Sequence, residues 1–167
     1  LRFNHIGMPA TVLYRRTVFD VVGGFDTSLA ACEDYDLYLR IARHHPIGRH
    51  VNVVAEYRQH AGNMSSNAEL MLKSALQVLG REFQYVRGSK PAMEAYRQGK
   101  RYWQDYYGTK LIRALRHRIR AGAWTDVLRG GLVLLRYYPA GIIRKILKKA
   151  RSIATLAPRF FTLKASR

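Results

Sequence analysis

The residues best suited to chemistry lie in the first third of the chain: Gly23-Gly24-Phe25-Asp26, then Glu33-Asp34-Tyr35-Asp36-Leu37-Tyr38-Leu39-Arg40. On a helix starting at Glu33, Asp34, Leu37, Tyr38 and Ile41 fall at i, i+3, i+4 and i+7 and share one face. That face is apolar and should turn inward. Asp34 is therefore expected to be a carboxylate at a helix N-terminus that points into the protein. Asp36, Arg40 and Arg43 are expected on the opposite side, with Asp36 and Arg40 paired at i, i+4. An inward carboxylate without partners costs on the order of several kcal/mol, so Asp34 needs either a partner or a job. The plainer alternative is that acids in a first helical turn complement the helix dipole, at about 0.3–1 kcal/mol each.

A second candidate is Tyr57-Arg58-Gln59-His60-Ala61-Gly62-Asn63-Met64-Ser65. His60 in such a polar loop could ligate a metal through a neutral ring nitrogen. Arg58 could hold a diphosphate. Alternatively His60 and Asn63 satisfy loop backbone groups while Ser65 or Ser66 caps the next helix. The other histidines show no metal-binding spacing. The single cysteine, Cys32, excludes an internal disulfide and a cysteine-based zinc site, and fits a reducing compartment.

The elements that must position these residues are mixed up to Ser66 and helical after it. Ala10 to Arg15 and Val51 to Tyr57 are β-prone, which predicts two strands. Thr17 is placed to cap a short helix over 18–22 that Gly23 stops. Phe25 to Cys32 is expected as a loop and Glu33 to His44 as a helix. Ser66 with Glu69 suggests a capping box, followed by a helix with Leu72, Ala75, Leu76, Leu79, Phe83 and Val86 inward. Further helices are expected over 92–120, from Thr125 to about Tyr138, and over 140–157, separated by Gly122, Pro139 and Pro158.

The chain has 167 residues, a hydrophobic share of 48% and a net charge of +18. It is too apolar for disorder, and no apolar run reaches spanning length. Its first residues show no signal-peptide pattern. Residues 1–66 are nearly balanced in charge, whereas 127–167 hold ten Lys/Arg and no Asp/Glu. Ile142, Ile143, Ile146 and Leu147 share a face flanked by Arg144, Lys145, Lys148, Lys149 and Arg151. That basic amphipathic helix is expected on an anionic membrane surface, with packing against the rest of the protein as the alternative. A nucleic-acid-binding module is the rival reading of the charge and of Tyr102, Trp103, Tyr106 and Tyr107. No nucleic-acid motif supports it, so nucleic acid is not the expected partner.

Ala10-Thr11-Val12-Leu13-Tyr14-Arg15-Arg16, Val22-Gly23-Gly24-Phe25-Asp26, the Glu33–Ala42 stretch and Tyr57-Arg58-Gln59-His60 with Ser65, in this order and spacing, resemble the second half of a family-2 glycosyltransferase domain. The resemblance covers about residues 3–80. It implies an α/β fold class over residues 1–66, a partial GT-A, Rossmann-like half, followed by an all-helical region: a helical extension over 67–126 and a basic amphipathic tail over 127–167. It implies inverting transfer of a sugar from a nucleotide-diphosphate donor to a hydroxyl of a sugar, lipid-linked or protein acceptor, in cell-envelope polysaccharide or glycolipid synthesis. Asp34 matches the general base. Glu33, Gly24, Asp26 and Arg58 become substrate-binding candidates, and His60 a ligand to Mg²⁺ or Mn²⁺. The expected location is cytoplasmic, peripheral on the inner face of the membrane. The nucleotide-binding strand–helix units and the Asp-x-Asp metal motif of such enzymes do not occur upstream of Asp34. The chain is therefore expected to be the rear part of a longer enzyme and inactive alone, or else an inactive remnant.

Overall fold

The computed structural model describes residues 1–162 apart from 3, 5, 7, 59 and 61, with side chains as far as Arg151. Its helices are α1 (Val18–Val22), α2 (Glu33–His44), α3 (Ala68–Val86), α4 (Lys90–Arg120), α5 (Trp124–Tyr137) and α6 (Pro139–Thr162), with short 3₁₀ turns at Pro9–Thr11 and Met64–Ser66.

The two expected strands do not form. Pro9–Thr11 is a 3₁₀ turn followed by extended Val12, and residues 51–57 run without a ladder. Among the described residues there is no sheet, so the expected α/β class, with its partial GT-A, Rossmann-like half, is overturned and the fold is helical. The reason is physical. β-propensity expresses how a side chain fits a pleated surface packed on neighbours, and two isolated β-prone segments are too few for a stable sheet in water. Leu13, Val51 and Val53 stand 99%, 89% and 88% exposed.

α1 and α2 fall at the expected bounds. Gly23, at φ 72, ends α1 in a conformation that favours glycine. The capping box at Ser66 is replaced. The 3₁₀ turn carries the chain on to Asn67, whose side chain accepts from the Leu70 amide at 3.1 Å. Glu69 turns instead to Lys73 at 3.0 Å and Arg129 at 3.5 Å. Ser89 caps α4 two residues earlier than expected, with Pro91 in the first turn where its missing N–H costs nothing. α5 starts at Trp124 without a side-chain cap, and α6 continues past Pro158.

α3 and α4 form the central hairpin. Leu72, Ala75, Val78 and Leu79 of α3 are buried with Tyr107, Leu111 and Leu115 of α4, and Val133, Leu134 and Tyr138 close the same core. Full burial of each such leucine stabilises by roughly 1.5–3 kcal/mol. Phe83, expected inward, is 48% exposed, while Glu82 beside it is buried. Burial raises the Glu82 carboxyl, opposed by Arg43 at 3.8 Å. Tyr138 fits because Gly108 and Gly141 leave room for its ring, and a Cβ on Gly108 would come within 2.5 Å of it. Its hydroxyl donates to Asp105 at 2.7 Å. No helix among the described residues is long and apolar enough to cross a membrane.

Candidate functional site

α2 carries the site, and it is buried on more sides than one amphipathic stripe predicts. Leu37 and Ile41 pack with Val18 of α1, while Tyr35 and Leu39 join the main core. The face assigned outward is the one that meets α3. Asp36 is only 4% exposed. It accepts from Arg40 at 2.8 Å and lies 3.4 Å from Arg81 of α3, and the Arg43 guanidinium sits 3.7 Å over the Tyr85 ring. Helical periodicity separates polar from apolar positions. It does not separate solvent from a charged partner helix.

Arg40 and Arg81 bind the Gly-Gly-Phe-Asp turn to this network. Arg40 donates to the Val22 carbonyl and, at 2.8 Å, to the Gly24 carbonyl. Arg81 donates to Asp26 at 2.6 Å. Hydrogen bonds from Ser28, then from Arg81, hold the Asp26 carboxyl down at about 2. The turn is thus fixed relative to the first turn of α2. Arg81 has no local sequence signal. It lies 45 residues from Asp36, and only the packing of α3 on α2 reveals it.

Asp34 heads the helix beside Glu33, both half-buried. Its Oδ1 accepts from the Tyr35 amide at 2.7 Å. Burial raises its carboxyl above the usual value, the Tyr35 N–H opposes this, and the Glu33 charge adds to it. No ion pair neutralises Asp34 among the described residues, in contrast to Asp26 and Asp36. The Tyr14 and Tyr38 hydroxyls are neighbours of this carboxylate and of each other, and neither makes an aligned hydrogen bond. Ahead of Glu33, Cys32 takes the left-handed conformation, φ 64, uncommon outside glycine. This bend places the two acids in the first turn. The thiol is buried and pushed up to about 12, first by burial and then by the Asp34 and Glu33 charges. Cys32 should therefore resist alkylation at pH 8 in the folded protein and react fully in denaturant, because only the thiolate is nucleophilic. Rapid labelling of the native protein would contradict this placement.

The second candidate forms a separate, exposed loop. Asn63 ties it together, donating from its amide nitrogen to the Arg58 carbonyl at 3.0 Å and from its backbone to the His60 carbonyl at 3.1 Å. Tyr57 and Ser65 hydroxyls lie 3.0 Å apart. Arg58 and His60 are exposed, and neither is joined to Asp34 by a hydrogen bond or ion pair among the described residues. Among the described residues, no group of three or more His, Cys, Asp or Glu side chains could hold a metal ion. Since Asp26 and Asp36 already hold Arg81, these residues by themselves do not fit a Mg²⁺ or Mn²⁺ site.

Residues 5–110 match the family described as glycosyltransferase like family 2. The chain belongs to this glycosyltransferase-like family 2. The matched span takes in the three acids of α2, the Arg40–Arg81 network and the Arg58–His60 loop, so the family assignment covers every candidate side chain above. No curated protein and no solved structure matches the chain. Membership makes a nucleotide-sugar donor and an acceptor the general partners of a family-2 transferase.

Proposed function

We propose that this family-2 chain supplies the general base of an inverting glycosyltransferase, and that Asp34 is that base. The observation that carries the reading is the contrast among the acids. Asp26 and Asp36 are paired with arginines, whereas Asp34 is half-buried, raised by burial and held by backbone N–H groups without a cation. A raised carboxylate is a better proton acceptor near neutral pH. In the step, Asp34 takes the proton from the acceptor hydroxyl. The hydroxyl oxygen bonds to the anomeric carbon, and the bond from that carbon to the nucleoside diphosphate breaks with its electrons on the diphosphate. One base opposite the leaving group suffices for inversion, unlike the carboxyl pair of glycosidases.

Glu33 borders the substrate from the same turn. Gly24 and Asp26 act through the fixed shape of their turn on the acceptor side, and Arg58 meets the diphosphate as a charged donor. The acceptor is a sugar, lipid-linked or protein hydroxyl in envelope polysaccharide or glycolipid synthesis. α6 would hold the enzyme on the anionic cytoplasmic face of the membrane. Its Ile143, Ile146 and Leu147 are 57%, 62% and 52% exposed, which favours a surface role over packing within the protein.

The test is to supply the native protein with a panel of nucleotide sugars and acceptors, follow acceptor-dependent release of nucleoside diphosphate, and determine the product's anomeric configuration by NMR. Inversion is expected. Retention would overturn the single-base reading.

A further inference from the structure

The exposed apolar surface does not end with α6. On α5, Trp124, Leu128, Leu132 and Leu135 are 62%, 70%, 68% and 62% exposed. At i, i+4, i+8 and i+11 they fall within one narrow arc of the helix, a stripe about 16 Å long. The opposite side of α5 is used differently: Val133 and Leu134 are buried in the core, and Gly130 lies against Leu115. Both faces of this helix are therefore apolar, and among the described residues only one is covered. Single exposed leucines are ordinary, but a continuous row of four large apolar side chains marks a surface that meets something.

Charge identifies the occupant. From residue 127 onward the chain holds ten Lys/Arg and no Asp/Glu. A second copy packed on this stripe would bring two strongly cationic regions together, whereas an anionic bilayer offers phosphates to the cations and acyl chains to the stripe. An indole at the head of the row suits the interfacial layer.

We propose that α5 is a membrane-inserting element in its own right, with Trp124, Leu128, Leu132 and Leu135 entering an anionic bilayer next to the cationic helix α6. The inference rests on the reading that α6 meets such a surface and adds a second, apolar contact to it. α6 supplies mainly attraction to headgroups, and α5 supplies depth. Because α5 is anchored in the core by Val133 and Leu134, the bilayer is brought close to the folded body and not only to its end.

The experiment uses the full chain with phosphatidylcholine vesicles, with and without phosphatidylglycerol, read by flotation and by tryptophan fluorescence with lipids brominated on their acyl chains. The wild type is expected to float only with phosphatidylglycerol, with a blue-shifted, bromine-quenched signal that Trp124→Phe removes. The exposed-site variant Leu128→Gln/Leu132→Gln, folded by circular dichroism, is expected to lose at least about tenfold in partition. Partition and quenching unchanged in that variant, but lost on Lys145→Ser/Lys148→Ser/Lys149→Ser substitution, would overturn the role of α5 and leave that of α6. No flotation of the wild type would overturn both. Unquenched Trp124 in a dimer that the leucine variant dissolves would assign the stripe to a second copy and overturn the proposal.

Discussion

Asp36→Ala is expected to cost about 3 kcal/mol of folding stability, the lower end of the range for breaking a buried ion pair. Asp36 is buried between the Arg40 and Arg81 guanidiniums. Without it the two cations face each other across the gap, and of the polar ties between α2 and α3 the Arg43–Glu82 contact remains. The cost stays at the low end because the Arg81 side chain is 36% exposed and water can reach it. In a protein of ordinary stability, about 5–15 kcal/mol, such a loss is large. It corresponds to a fall in Tm of about 6–12 °C at this chain length. Asp36→Asn keeps the shape and an acceptor oxygen, and should lose less. Thermal or urea unfolding of the two variants beside the wild type measures the effect. An unchanged midpoint for Asp36→Ala would mean that the network is ornamental.

This network also shows where the sequence stops being legible. The Asp36–Arg40 pair follows from i, i+4 spacing, and the bounds of α1 and α2 follow from Gly23 and from the alternation of apolar positions. The role of Arg81 does not follow, because nothing local reports that α3 crosses α2 at that point. The same crossing buries Glu82 and leaves Phe83 outside, against the apolar stripe. Strands are the harder failure. Val51, Val53 and Leu13 have the side chains of a sheet, yet a strand is completed by partners that these residues do not find among the described elements. Local preference could name the segment but not supply its ladder. For the candidate site, the sequence placed Asp34 at the head of α2 and pointing inward, and the structure leaves it half-buried there. The sequence did not show that Asp26 and Asp36 are paired with arginines while Asp34 is not, which is the feature that sets Asp34 apart from those two. Cys32 was legible only as the end of a loop. Its left-handed conformation has no signal in the residue types around it.

Asp34→Asn is expected to reduce transfer by at least about 10²–10⁴-fold, the usual contribution of a positioned general base. The substitution is nearly isosteric, and its amide oxygen can still accept from the Tyr35 N–H. Donor affinity should therefore change little. Stability gives an independent readout. Burial raises the Asp34 carboxyl above its ordinary 3.8, so folding disfavours its ionised form. That penalty is absent below the unfolded value and sets in as the pH rises through the two values. At neutral pH the amide escapes it, and the variant should be as stable as the wild type or more so. A group kept for stability would show the reverse. Loss of function with retained or increased stability is what a residue held in place for chemistry produces.

The measurement that bears most directly on the central claim is acceptor-dependent release of nucleoside diphosphate by the native protein and its Asp34→Asn variant, side by side, with the donor dissociation constant of each. The account predicts turnover lost at least about 100-fold and donor affinity nearly unchanged. Turnover that survives the substitution would contradict it and give the base role to another group.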